Sequence, residues 1–148
     1  MSLYSIALHC HSSLRYVALV LLLMAIFVSL RRLISGPSTT PFSLKIPLFT
    51  LITFHLQLLT GLLLYVISPK VQFSSITMKV DIFRFFTMEH SLMMIISITL
   101  ITVGYSAAKR NKQGTGYKQI FIYYVISLLI LLIAIPWPFR QKLGAGWF

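Results

Sequence analysis

Acidic residues are nearly absent from this chain: Asp81 and Glu89 are the only two in 148 positions. With so few carboxylates there is no acid–base pair and no Ser-His-Asp set, and no glycine-rich nucleotide loop appears, so hydrolytic chemistry has no candidate residues. Cysteine occurs once, as Cys10, which excludes an intrachain disulfide. Its setting, His9-Cys10-His11, invites a copper or zinc site, but helix neighbours two apart point about 200° from each other, so His9 and His11 chelate one ion only if the segment is not helical. Charged residues of either sign make up 10% of the chain, against about 25% in an average soluble domain. What fills the space is apolar: 57% hydrophobic residues and a mean hydropathy of +0.88, a membrane composition.

Four stretches meet the requirement of about 20 mainly apolar residues for crossing a bilayer: 11–30, 46–67, 88–107 and 119–138. The spacing predicts one transmembrane domain, an all-α, up-down-up-down four-helix bundle with both termini on one side. The first span lacks a basic leader, carries Arg15 early and meets Arg31-Arg32 at its far end, so it reads as retained rather than as a cleaved signal. Segment 68–87 is the longest connection, and its part "MKVDIFRFF" suits either an interfacial helix or an extension of the third span. Trp137 and Trp147 read as headgroup-level anchors.

Lysine and arginine in the loops set orientation. One side holds Arg31, Arg32, Lys45, Lys109, Arg110, Lys112 and Lys118, and the other Arg15, Lys70, Lys79, Arg84, Arg140 and Lys142. The tighter clusters "RR" and "KRNK" lie against the first and third spans, which makes the first side cytoplasmic and turns both termini outward. The formal charge of +11 would suggest nucleic acid in a soluble chain. Here the basic residues are scattered over every loop without a binding motif, so their expected partners are the bilayer and its anionic headgroups, and nucleic acid is not expected.

Histidine and charged side chains within the spans are few, and in lipid each is a functional hypothesis. They are His11 and Arg15 on the first span, His55 on the second, and Glu89 and His90 on the third. His11 opens its span and His90 is third in its own, so the two histidines lie level near the outer surface. Two neutral imidazoles level on facing helices are what a six-coordinate haem b needs, so His11 and His90 are the expected iron ligands. Arg15, one turn from His11, is the expected partner of a haem propionate or of Glu89. Ala18 and Ala25 follow His11 at heptad spacing, and Met93, Met94 and Ser97 follow His90, which would let a flat group approach. His55 lies about 14 Å from the inner boundary at 1.5 Å per residue, with no histidine at its depth. It stands as an alternative axial ligand, a quinone contact together with Gln57, or a structural hydrogen bond; Gln57 itself shares a helix face with Gly61 and Tyr65.

The series "LHCHSSLRY", "FTLITFHLQLLTGLLLYVISPKVQF", "RFFTMEHSLMM", "IFIYYVISLLILLIAIPWPF" and "GAGWF" resembles, over almost the whole chain, a group of short four-span proteins of Bacteroidota labelled cytochrome b-like. The resemblance implies a bacterial inner-membrane protein that binds haem, with His11, His55 and His90 at the matching positions. In architecture the chain is also similar to cytochrome b561 and to succinate-dehydrogenase anchors, but it has no second histidine pair, so one haem is expected rather than two. The functional expectation is a mono-haem b electron-transfer protein or subunit, not a stand-alone enzyme, exchanging electrons with the quinone pool and serving a respiratory complex. The alternative is a cofactor-free accessory subunit that stabilises a larger membrane complex; ion or metal transport through the bundle ranks third.

Overall fold

A computed structural model describes residues 2–36, 42–111 and 115–143. Trp147, Lys112 and the loop at 37–41 lie outside the described residues. Four long helices account for the fold: α1 (Leu3–Ser35), α2 (Lys45–Ile67), α3 (Asp81–Arg110) and α4 (Gly116–Ala134). No strand occurs among the described residues. The shortest helix has 19 residues, about 28 Å at 1.5 Å per residue, so each one matches a hydrocarbon layer of about 30 Å. The protein is a multi-pass membrane protein in a lipid environment.

The helix limits differ from those read in the sequence, each for a local reason. α1 begins at Leu3 because Ser2 caps it, its side chain accepting from the Ser5 amide at 3.2 Å. It runs to Ser35 and stops at Gly36, whose φ of 72° is a backbone conformation suited to glycine. His11 therefore sits about two turns inside α1 and not at its start. α4 ends at Ala134, short of the expected 138, because Pro136 has no amide proton and biases Ile135 to extended backbone. The segment before the third span extends it: Asp81–Arg84 continues through a π-turn at Phe85–Glu89 into the α-helix His90–Arg110.

The helices associate as hairpins joined through polar contacts. Thr50 Oγ1 of α2 lies 3.1 Å from the Leu21 carbonyl, and Gln57 Nε2 donates to the His11 carbonyl at 2.9 Å. Moving up α2 thus moves down α1, and these two helices run in opposite directions. α3 and α4 do the same, with Ser127 Oγ donating to Ser97 O at 3.1 Å and His90 reaching Ala134. Tyr124, fully buried, donates to Pro47 O at 3.1 Å and ties α4 to the start of α2.

Small residues let the backbones approach, as interfaces within lipid require. Ala18 and Ala25 of α1 are buried in the core, beside Leu22. On α3, Gly104 faces Tyr123 so closely that an added Cβ would lie 2.6 Å from the tyrosine Cβ, and Gly116 abuts the Ala108 backbone. The outward faces are mainly apolar, as at Val66 and Ile34. Gly104→Ala is therefore expected to lower the thermal unfolding midpoint of the detergent-purified protein, through an overpacking cost of about 1–3 kcal/mol. An unchanged midpoint would show that the α3–α4 contact is looser than this geometry.

Candidate functional site

A cavity of about 270 Å³ opens at the end of the bundle where α1 and α3 begin and α2 and α4 finish. His11, Arg15, Gln57, Tyr65, Lys70 and His90 are its polar and aromatic landmarks, and no carboxylate lines it. The walls are otherwise mainly apolar, including Ala18 and Met94.

The two histidines meet here, with ring centroids 6.4 Å apart and planes at 69°. Both are fixed through Nδ1. His90 Nδ1 lies 2.8 Å from the Ala134 carbonyl, an acceptor only, so it carries the proton. His11 Nδ1 lies 3.0 Å from Thr60 Oγ1, whose own hydrogen is directed to the Gln57 and Leu56 carbonyls at 3.1 and 3.3 Å. Thr60 thus accepts from His11, which also carries its proton on Nδ1. Neither Nε2 has a hydrogen-bond partner among the described residues, so each keeps a bare lone pair. This pattern, one nitrogen pinned and the other bare, is how metal-binding imidazoles are oriented.

A loop and a π-turn hold His90 in place. The π-turn adds one residue just before it and frees carbonyls from the α pattern. Thr87 O is taken by Tyr65 Oη at 3.0 Å, and Phe86 O by Ser91 Oγ at 3.0 Å. The loop following α2 docks on the same turn, Gln72 N donating to Thr87 Oγ1 at 3.1 Å. The His90 ring then lies against Phe85 and Phe86, with centroids 5.8 and 6.1 Å away.

The remaining predicted residues separate into those the cavity gathers and those it does not. Arg15 lines it, its guanidinium held by Tyr16 Oη at 3.0 Å. It does not meet Glu89, as one reading of the sequence had it: Glu89 is bound by Arg84 at 2.8 Å, and Arg84 also holds Asp81 at 3.0 Å, so both acidic residues are taken up on the far side of the π-turn. Gln57 lines the cavity, and its Oε1 is buried with no hydrogen-bond partner among the described residues. His55 does not reach the cavity. Its ring is exposed on the opposite face of α2, with Nδ1 at 2.8 Å from Leu51 O, so His55 and Gln57 form no common contact and His55 cannot replace His11 or His90. His9 and Cys10 are exposed on a continuous helix, which sets His9 away from His11. Among the described residues no group of three His, Cys, Asp or Glu side chains converges on a metal position; a haem iron needs only two protein ligands.

Lys70 is the cavity residue that sequence reasoning passed over. It follows α2 directly and places its ammonium 5.1 Å from the Phe86 ring centroid. Partial burial pulls its pKa down from the ordinary lysine value. Trp137 donates Nε1–H to Leu132 O at 2.8 Å and stacks on Phe139, closing the end of α4.

Compared with protein-family models, with curated proteins and with solved structures, the chain matches none.

Thr60→Val removes the acceptor of His11 and leaves that of His90. In protein labelled with ¹⁵N-histidine at neutral pH, both rings are expected to show the Nδ1–H tautomer, and this substitution should disturb His11 alone while costing about 1–3 kcal/mol of stability. An Nε2–H pattern for either ring in the parent protein would contradict the assignment.

Proposed function

We propose that the protein is a mono-haem b electron-transfer protein or subunit of the bacterial inner membrane. The observation that carries this reading is the His11–His90 pair, two imidazoles from different helices with both Nδ1 atoms pinned and both Nε2 atoms bare. When two imidazoles bind one ion through bonds of about 2 Å, their ring centres lie roughly 6 Å apart; here they are 6.4 Å apart. That separation supports an iron held between them.

The cavity fits less completely. At about 270 Å³ it falls below the roughly 300–1,000 Å³ of sites that enclose drug-sized ligands, so the case rests on the ligands and not on volume. Bound haem would supply one-electron chemistry, its potential set by the axial ligands, burial and nearby charge. The chain's own part is to orient the ligands through Thr60 and Ala134. Arg15 and Lys70 would stand near the acidic side chains of such a group, and the apolar walls would face its ring. Exchange with the quinone pool belongs to this reading through Gln57, whose buried Oε1 has no hydrogen-bond partner among the described residues; His55 takes no part in it. The start of α1 and the end of α4, which lie at the end of the bundle that holds the cavity, face outward in this proposal.

A cofactor-free packing subunit is the second reading. It is favoured by the histidines themselves, since their Nδ1 bonds already join α1 to α2 and α3 to α4 without any ligand.

His11→Ala and His90→Ala variants, purified in detergent and read by absorbance, decide between the two. Each is expected to lose the low-spin b-type spectrum, while His55→Ala keeps it. Normal spectra in both cavity variants would sink the ligand assignment.

A further inference from the structure

Gln57 is a cavity residue whose presence iron ligation does not explain. Its side chain is buried, the residue being 8% exposed. The amide orientation is fixed by its partner: the His11 carbonyl can only accept, so the atom 2.9 Å from it is Nε2, and Oε1 is the end left over. Oε1 lies buried at the cavity wall with no hydrogen-bond partner among the described residues. The bond to His11 O does not account for the residue, because that carbonyl lies inside α1 and already serves the helix's own ladder. A buried amide oxygen without a donor is costly, and an apolar side chain at this position would avoid the cost. Oε1 therefore serves something that enters the cavity.

The surroundings describe that ligand. An amide oxygen only accepts, so the ligand must donate a hydrogen bond. Phe54, Leu64, Met94 and Leu131 are among the walls, so the rest of the ligand is apolar. An apolar cavity of about 150 Å³ takes up benzene, and one of about 270 Å³ has room for a substituted aromatic ring. A lipid-soluble ring that carries a hydroxyl group meets all of these conditions.

We infer that the cavity binds a quinone in its reduced, hydroxyl-bearing form, with one hydroxyl donating to Gln57 Oε1, and discriminates against the oxidised form. The oxygens of the oxidised ring only accept, so it would set acceptor against acceptor and leave Oε1 unpaired. Donors in the wall, such as Arg15, do not tell the two forms apart, since both carry oxygens that accept. A site built around a ligand hydroxyl rejects the analogue that lacks it, because the buried group facing it is left unpaired. The inference rests on the quinone-pool part of the function proposed above and needs no iron, since Gln57 is not one of the axial ligands.

The test is calorimetric titration of the detergent-purified full chain with durohydroquinone, its dimethyl ether and duroquinone, three rings of like shape of which the first alone donates. Durohydroquinone, kept reduced with dithionite, is expected to bind roughly ten- to hundred-fold more tightly than the ether or the quinone. Gln57→Met should abolish this preference. Gln57→Glu should keep it, because a buried, protonated carboxyl offers O–H to the His11 carbonyl and C=O to the ligand, and this separates loss of the acceptor from disturbance of the fold. Equal affinity for the three rings, or a preference that survives Gln57→Met, would overturn the inference. Haem is assayed on the same preparation: a colourless protein that shows the preference contradicts the iron reading and supports this one, and a haem-loaded protein without it does the reverse.

Discussion

A lipid interior has no water with which to satisfy a polar group, and the arrangement of this bundle follows from that constraint. Polar side chains placed in a span bond either to the backbone of their own helix one turn earlier or to a neighbouring helix. Thr60 supplies the bond for His11, Ala134 for His90, and the His11 carbonyl for Gln57. These three bonds cross from α1 to α2 and from α3 to α4 at one level, so satisfying the polar groups also fixes how the two helices of each hairpin meet. Burial of apolar surface contributes little direction here, because the outside is as apolar as the inside.

The same bonds decide the chemistry available at the site. A histidine that donates from Nδ1 must keep Nε2 as an acceptor, and both rings are fixed in this way beside one cavity. The π-turn belongs to the same arrangement. It breaks the regular α3 pattern immediately before His90, and the carbonyls it frees are taken by Tyr65 and Ser91. The chain's two carboxylates are bound to Arg84 on the outer side of this turn. Among the described residues the cavity is lined by Arg15 and Lys70 and by no acidic side chain.

Much of this was legible in the sequence because depth along a span can be counted. Four apolar runs gave four helices, and the positions of His11 and His90 in their runs put them level. The turn of α2 that gathers Gln57, Gly61 and Tyr65 on one face followed from helical periodicity alone. What escaped was carried by the backbone. Ala134 serves His90 through a carbonyl that any residue would offer, and the π-turn is an inserted register shift with no residue type of its own. Lys70 reaches the cavity because the loop after α2 docks on that turn, a tertiary event. Arg15 and Glu89 looked like partners by charge, but Arg84, five residues before Glu89 across the π-turn, is nearer. His55 was weighed as a ligand from its type and resemblance, while the face it occupies on α2 turns it to lipid.

The most direct test of the account is the dithionite-reduced minus oxidised absorbance spectrum of the detergent-purified chain, with a pyridine haemochrome assay for stoichiometry. The arrangement of His11 and His90 predicts a sharp b-type α-band and about one haem per chain, as a single axial pair allows. A colourless, well-folded helical protein would contradict it and leave the two histidines as interhelical hydrogen bonds only.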